Sequence, residues 1–464
     1  IEFTRIYSVI QDREQILWVA TDNGLFNSTS KLNSNLHLSL RQDKQRASLS
    51  SVMELPNGDL WVSTWGRGVL TRQPDLKKRE IIFDLPKDDG NYNLTWDLHL
   101  QIPGGKVWVA CQAGRLMIYD TAKEKSVFLK PAPFRGSTIR QITEDQQGNL
   151  WFATQSGMVL KWKNGTSLHD SSFRVMHQYR SIISKIMMDD RGLLWIATGG
   201  KGVFVVDPLS GKEVKQYNIP SSQQFFYGNQ VRDIVQVNDS IYAFAGDYLH
   251  LLNYNTGAIT NAATYNQWPV GPVLTMQVDN QQNVWLSTAN GMYKYNFEGN
   301  YFIRFTQWDG LITVYNHNFL LDASVKLRNG RMAFLGNQNM VTFDPAHYHD
   351  KSLPPDVRIG SVKLFNEFLP VDSLEKQGGL TLPYDRNSLT LTFAALSFNR
   401  IDKLSYYYML EGANKDWQRM EGPLQVNYTL LPPGNYVFRV RARNETGIFS
   451  PHITSLRIII RPPF

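Results

Sequence analysis

One stretch of this chain recurs throughout its length. The segment "GNLWFATQSGMVLKW", residues 148–162, has near-copies in "ILWVATDNGLF", "DLWVSTWGRGVL", "KVWVACQAGRLMIYD", "LLWIATGGKGVFVVD" and "NVWLSTANGMYKYN". Aligned on the bulky residue, the series reads Trp18, Trp61, Trp108, Trp151, Trp195, Tyr242, Trp285 and Met332, with gaps of 43 to 47 residues. The last copy, "GRMAFLGNQNMVTFD", is degenerate but keeps the pattern. Self-similarity at this period signals a propeller or a solenoid, in which no unit can bury its own apolar face and each is covered by its neighbours.

Each copy reads as β-structure. An upstream segment such as "IRQITED" or "ISKIMMDD" carries apolar residues three apart and ends in an acidic turn. A tight Gly/Asn turn follows ("QQGN", "PNGD", "RNGR"), then the Trp strand, a glycine and a third strand. Gly and Asn suit the positive φ of such turns. A weaker fourth strand completes the unit, as in "SVFLK" or "EVKQYNI". Four short strands per repeat match a propeller blade, and the helical period that an α-solenoid needs is absent. The repeated Trp is then expected to pack between neighbouring blades. Eight copies predict a single eight-bladed ring over residues 1–350, with seven blades plus a copy placed elsewhere as the alternative.

Composition changes near "DPAHYHDKSLPPDVRIG". Beyond it, "SLTLTFAALSF", "KLSYYYML", "NYVFRVRARN" and "SLRIII" alternate strongly between Gly/Pro turns. This predicts an immunoglobulin-like sandwich over residues 351–464 and an all-β chain as a whole. Tyr406 and Tyr408 should lie on one face of a strand and Tyr407 on the other.

Other features narrow the function. The single cysteine, Cys111, excludes an internal disulfide and stands where sibling copies carry Thr, as a small buried residue would. No run of about 18 apolar residues spans a bilayer, and "IEFTRIYSVIQD" is no signal peptide. The net charge of +7 is spread without a Lys/Arg block, which favours acidic ligands or an anionic membrane surface nearby but is too diffuse for nucleic acid.

The repeats "D..G.LWVAT..GL" resemble the two-component regulator propeller, and "SYYYMLEGANKDW" with "VNYTLLPPGNYVFRVRARNETGIFS" resembles the Y_Y_Y domain that follows such propellers. The resemblance covers almost the whole chain. It implies a periplasmic sensor region of a hybrid two-component system, or of a related regulator, in bacteria that detect polysaccharide breakdown products. By the same resemblance Glu411, Gly412 and Trp417 are fold determinants, and the sandwich pairs in a homodimer. A membrane helix is implied after Phe464, and the kinase or other output lies outside this chain. Family members often carry two seven-bladed propellers, from which eight copies depart.

In a propeller, the loops between the second and third strands share one face of the ring with the loops that enter each blade. Trp65, Arg67 and Lys201 stand out in the first set, as large side chains where siblings carry small ones. The second set supplies Trp96, Phe226, Tyr227, Trp268, Trp308, Tyr315 and His317. Aromatic rings flanked by Asn, Gln and Arg suit a sugar, whose apolar face stacks while its hydroxyls need directional partners. Arg140, Lys185 and Arg232 fall at or beside equivalent sites in three consecutive copies. If they face the axis, an acidic saccharide is favoured. The expected site is therefore Trp65, Arg67, Trp96, Arg140, Lys185, Tyr227, Arg232, Trp268, Trp308 and His317, with an oligosaccharide as ligand and neither metal nor cofactor.

Two rival functions are weighed against this one. A glycosidase or lyase needs converging acids. Asp12, Glu54, Asp145, Asp189 and Asp279 sit before hairpin turns and read as turn formers, whereas Asp97, Asp233, Asp247 and Asp309 are better placed. His347 and His349 form a "HYH" pair without a third ligand of clear spacing. A docking or dimerisation platform without a small ligand is the other alternative.

Overall fold

The structure is a computed structural model. It describes residues 4–12, 16–29, 35–39, 47–79, 81, 83–102, 104–219, 229–262, 272–289, 291–297, 301–305, 311, 321–337, 339–348, 355–365, 367–395, 404–444 and 448–463. The chain divides into two units, Asn33–Tyr348 and the combination of Ile1–Leu32 with His349–Phe464.

The first repeat copy is a three-stranded antiparallel sheet, β1 (Ile6–Gln11), β2 (Ile16–Thr21) and β3 (Gly24–Thr29). Every residue of β1 is exposed. The next strand, β4 (Leu36–Ser39), does not extend this sheet. Six four-stranded blades follow. They are β5–β8 (Ser48–Glu54, Leu60–Trp65, Gly68–Arg72, Lys78–Arg79), β9–β12 (Thr95–Gln101, Lys106–Cys111, Leu116–Asp120, Lys125–Leu129) and β13–β16 (Ile139–Glu144, Leu150–Thr154, Met158–Trp162, Phe173–Gln178). Then come β17–β20 (Ile183–Met188, Leu194–Thr198, Val203–Asp207, Lys212–Tyr217), β21–β24 (Asp233–Gln236, Ile241–Ala245, Leu249–Asn253, Ile259–Asn261) and β25–β28 (Val273–Val278, Val284–Thr288, Gly291–Asn296, Tyr301–Phe305).

The seventh blade is made from both ends of the unit. Strands β29 (Leu321–Lys326), β30 (Met332–Gly336) and β31 (Asn339–Phe343) take β4 as their fourth strand, with Met340 opposite Leu38. Strand β29 packs on β5, so the innermost strands form a closed circle. The ring therefore has seven blades, the alternative count, and not eight. The reason is geometric: β4 completes the seventh blade and β29 meets β5 directly, which leaves no opening for the first copy. The propeller accordingly begins after residue 32 and not at residue 1.

The repeated Trp packs between blades, as expected. Trp61, Trp108, Trp151, Trp195 and Trp285 are almost wholly buried. Trp61 meets Tyr119 of the next blade edge-on at 5.3 Å, Trp108 meets Phe152 at 6.0 Å, and Trp195 stacks on Tyr242 at 4.1 Å. The acidic turn residue has a second duty beyond turn formation. Asp145, Asp189 and Asp279 each accept the indole N–H of their own blade's Trp, at 3.0, 2.8 and 2.9 Å. Asp12 does the same for Trp18 at 2.8 Å. The glycine after the Trp strand also has a steric cause. Gly202 sits at φ 74°, and a Cβ there would run into the carbonyl of Tyr217. Cys111 is fully buried, and burial pushes its thiol pKa up.

The C-terminal region is a two-sheet sandwich. It comprises β32 (Val357–Leu364), β33 (Glu367–Leu369), a short helix α1 (Val371–Lys376), β34 (Leu380–Leu382), β35 (Leu389–Ala395) and β36 (Ser405–Glu411). Strands β37 (Gln418–Arg419), β38 (Gln425–Tyr428), β39 (Gly434–Arg443) and β40 (Thr454–Ile460) complete it. One sheet runs β33-β32-β35-β38 and the other β34-β40-β39-β36-β37. Between them lies a core that includes Val362, Leu391, Phe393, Leu410, Phe438 and Ile458. Tyr406 is buried in that core and Tyr408 packs against it, while Tyr407 meets Phe449 on the opposite face at 5.6 Å. Gly412, at φ 99°, lies where a Cβ would approach Asn435's carbonyl to 2.7 Å. No helix among the described residues is long and apolar enough to cross a membrane.

Candidate functional site

Six of the seven innermost strands carry the same irregularity. Pairing skips one residue between Leu49 and Ser51, Thr95 and Asp97, Ile139 and Gln141, Ile183 and Lys185, Val273 and Thr275, and Leu321 and Ala323. Such a bulge re-aims the extra side chain. Ser50, Trp96, Arg140, Ser184 and Leu274 are the extra residues in five of these strands, and all five line one cavity. Arg232, immediately before β21, joins them.

The cavity measures about 490 Å³ and is lined from all seven blades, which places it on the ring axis. This volume falls within the ~300–1,000 Å³ of small-ligand clefts. Trp65, half exposed at the end of β6 and opposite Ser48, belongs to its rim. The Arg140 guanidinium lies 4.1 Å from the centroid of the Trp96 ring. The Trp96 indole N–H donates to Gln112 Oε1 at 2.9 Å, which fixes the ring's tilt.

Next to the extra residues, and at the equivalent place on β21, polar side chains tie one blade to another. Asp97 accepts from Ile142 N at 2.9 Å and from Ser51 Oγ at 2.8 Å. Gln141 Oε1 accepts from Ile186 N at 2.7 Å. Asp233 accepts from Met276 N at 2.8 Å and Thr275 Oγ1 at 2.7 Å, and pairs with Lys185 Nζ at 3.4 Å. Burial pushes the Asp97 carboxyl above the usual carboxylate pKa, against those two hydrogen bonds and the attraction of Lys185. Burial likewise raises Asp247, against the attraction of Arg232.

The structure thus brings five expected residues together: Trp65, Trp96, Arg140, Lys185 and Arg232. Arg67 is half-buried and does not line the cavity. Lys201 is exposed and also outside it. Tyr227, Trp268, Trp308 and His317, with Phe226, Tyr315 and Asp309, lie outside the described residues. Ser51, Gln141, Ser184, Thr275 and Ser324 were not expected from the sequence. A signal was available for four of them, since Ser51, Gln141, Ser184 and Thr275 stand ten or eleven positions before the repeat's bulky residue. His347, a suspected metal ligand, is over half exposed and pairs with Asp344 at 3.1 Å. Its partner His349 lies outside the described residues. Among the described residues no cluster of three His, Cys, Asp or Glu side chains could hold a metal ion.

A closed seven-bladed ring with a polar axial cavity, followed by a Tyr-bearing sandwich, defines the class of the molecule. Residues 133–156 match the two component regulator propeller family and residues 397–461 match the Y_Y_Y domain family. The order of the two matches is that of a two component regulator propeller segment followed by a Y_Y_Y domain. It is similar to Histidine kinase P4 of Formosa agariphila, with 22% identity over 367 residues, covering 73% of this chain and 25% of that protein. It is also similar to the extracellular domain of BT3049 from B. thetaiotaomicron, described as part of a candidate hybrid two component system. That structure matches with TM-score 0.69, 23% identity, and coverage of 98% of this chain and 62% of that one. The chain thus spans a quarter of the kinase's length and less than two thirds of the BT3049 ectodomain. An inactive virginiamycin B lyase from Staphylococcus aureus, solved with quinupristin, shares the fold at TM-score 0.53 and 15% identity, over 67% of this chain and 99% of that one.

Proposed function

We propose that this chain is the extracytoplasmic ligand-sensing region of a membrane-bound two-component regulator, and that its axial cavity binds an oligosaccharide derived from a polysaccharide. The observation that carries the reading is the rim of that cavity. An exposed Trp65 and the stacked Trp96–Arg140 pair stand above a ring of hydroxyl, amide and charged side chains. Flat apolar faces beside directional donors suit a pyranose, which has one of each.

The ligand is sensed and not turned over. Among the described residues both carboxylates of the lining are held by backbone amides and hydroxyls. They therefore act as struts between blades, unlike the free acid and base that glycoside hydrolysis requires. The protein works in the periplasm, and the Y_Y_Y sandwich passes occupancy onward through a homodimer. The ligand must then differ in affinity between two dimer geometries.

The test is calorimetric titration of the 464-residue chain with a panel of oligosaccharides, followed by chromatographic analysis of each mixture. Binding with the sugar recovered intact, and weakened at least tenfold in Trp96→Ala, is the expected result. Recovery of shortened or unsaturated products would replace the sensor with a lyase or hydrolase on the same ring. Silence across the panel would leave a docking platform.

A further inference from the structure

The charges of the cavity are unevenly spent. Among the described residues its lining holds three cations, Arg140, Lys185 and Arg232, and two carboxylates, Asp97 and Asp233. Asp233 is 3% exposed and takes four contacts: Ile234 N at 2.9 Å, Thr275 Oγ1, Met276 N and the Lys185 ammonium. That cation and that carboxylate answer each other. Asp97 is held by Ser51 and Ile142 N, away from any arginine within ion-pair distance. Arg232 has no carboxylate within ion-pair distance among the described residues, and the acid that feels its field, Asp247, is outside the lining. A guanidinium half-buried in a cavity wall without a carboxylate carries a desolvation cost that an incoming anion can offset.

Position sharpens the point. The blade between Arg140 and Arg232 offers the small residue Ser184 at its bulge, with Lys185 next along the strand. Large cationic side chains thus flank a small one on three consecutive blades. Arg140 lies on the Trp96 ring, and a guanidinium stacked on a ring donates in its own plane.

Resting on the oligosaccharide reading of the same cavity, the geometry points to a ligand that carries a carboxylate or sulfate ester. This group sits against Ser184 and is received by Arg232, while the adjoining sugar ring stacks on the Trp96–Arg140 pair. Arg232 is then the specificity-determining residue. Charge-assisted, forked hydrogen bonds from Arg to a planar or tetrahedral oxyanion are the strong ones. A neutral sugar would leave Arg232 buried against hydroxyls alone.

The experiment compares wild type, Arg232→Gln and Arg232→Lys, each checked for an unchanged Tm. The probes are uronate-containing, sulfated and neutral tetrasaccharides titrated at two salt concentrations. The expected result is binding of an acidic probe that falls about 10- to 100-fold in Arg232→Gln. Arg232→Lys should recover part of that loss, and added salt should weaken the wild type more than Arg232→Gln. A neutral tetrasaccharide bound equally by wild type and Arg232→Gln overturns the anion assignment and leaves the cavity a saccharide site. An acidic probe bound equally by both also overturns it. If no probe binds the wild type, the saccharide reading itself fails.

Discussion

Two tryptophans at the same repeat position allow one hydrogen bond to be weighed. Trp151 is fully buried, and its indole N–H donates to Asp145 at 3.0 Å. Trp61 is equally buried, but its indole nitrogen has no acceptor among the described residues. The repeat places Leu55 where its siblings have Asp, so that position offers no carboxylate to the indole. Trp→Phe removes the N–H at both sites and leaves most of the ring volume. At Trp151 the loss combines a hydrogen bond to a carboxylate, about 1.5–3 kcal/mol, with about 1 kcal/mol of lost packing. At Trp61 the packing loss is offset by deleting an unsatisfied donor, for a net change of about 1 kcal/mol or less. Urea unfolding of W151F and W61F should therefore separate them by roughly 2 kcal/mol. The acid limb of the stability curve supplies a second reading. Burial pulls the Asp145 pKa up, but the Trp151, Asn149 and Lys161 interactions outweigh it and hold it below the usual value. A depressed folded pKa gives stability that is present above about pH 4 and is lost as pH falls toward the folded value. W151F should flatten that loss and W61F should not. Equal destabilisation with parallel acid limbs would refute the assignment of the repeat carboxylate as a partner of the indole.

His250 is 3% exposed, and burial lowers its pKa from 6.5 to about 4. The unfolded chain then takes up the proton first, so stability should fall as pH drops from about 6.5 toward 4, and His250→Leu should remove that slope in thermal scans across this range. Closure of the ring by β4 predicts that Leu38→Pro, which takes a donor from the ladder to Met340, lowers Tm by about 5 °C. Deleting residues 1–32, which contribute no strand to the ring, should leave the propeller's Tm unchanged in the same calorimetric scan.

The repeats were legible because a blade is a local object. Period, turn glycines and the buried Trp all follow from contacts within about 45 residues of sequence. Ring closure was not legible, because it depends on a pairing between Leu38 and Met340, three hundred residues apart. Strand β4 is four residues long, "LHLS", and nothing in so short a segment marks it as the edge of the last blade. The first copy misled the count for the opposite reason. It keeps the repeat's own bond, Asp12 to the Trp18 indole, whether or not the ring includes it. Loop tips fared worse than the innermost strands and their entry points: Trp96, Arg140, Lys185 and, just before β21, Arg232 reached the cavity, while Arg67 and Lys201 did not. A strand facing an axis constrains its side chains, whereas a loop tip leaves them to turn geometry.

The spacing that puts the site on the axis was visible before its meaning was. A strand with one buried face repeats every two residues, yet the innermost strands bury Ile139 with Ile142, Ile183 with Ile186, and Val273 with Met276. Apolar residues three apart in a strand demand an extra residue between them, and a β-bulge is the structure that accommodates one. The bulge leaves two consecutive side chains on the axial side, and they divide the work. The second, Asp97 or Gln141, reaches across to a backbone amide of the next blade and holds the ring shut. The first, Trp96 or Arg140, is released from the ladder and turned into the cavity. Because the clamp and the recognition side chain are separate residues, the first can vary from Ser50 to Trp96 to Arg140 without loosening the blades. A ring built this way can change what it binds one blade at a time, and the charge at Arg232 is one such choice.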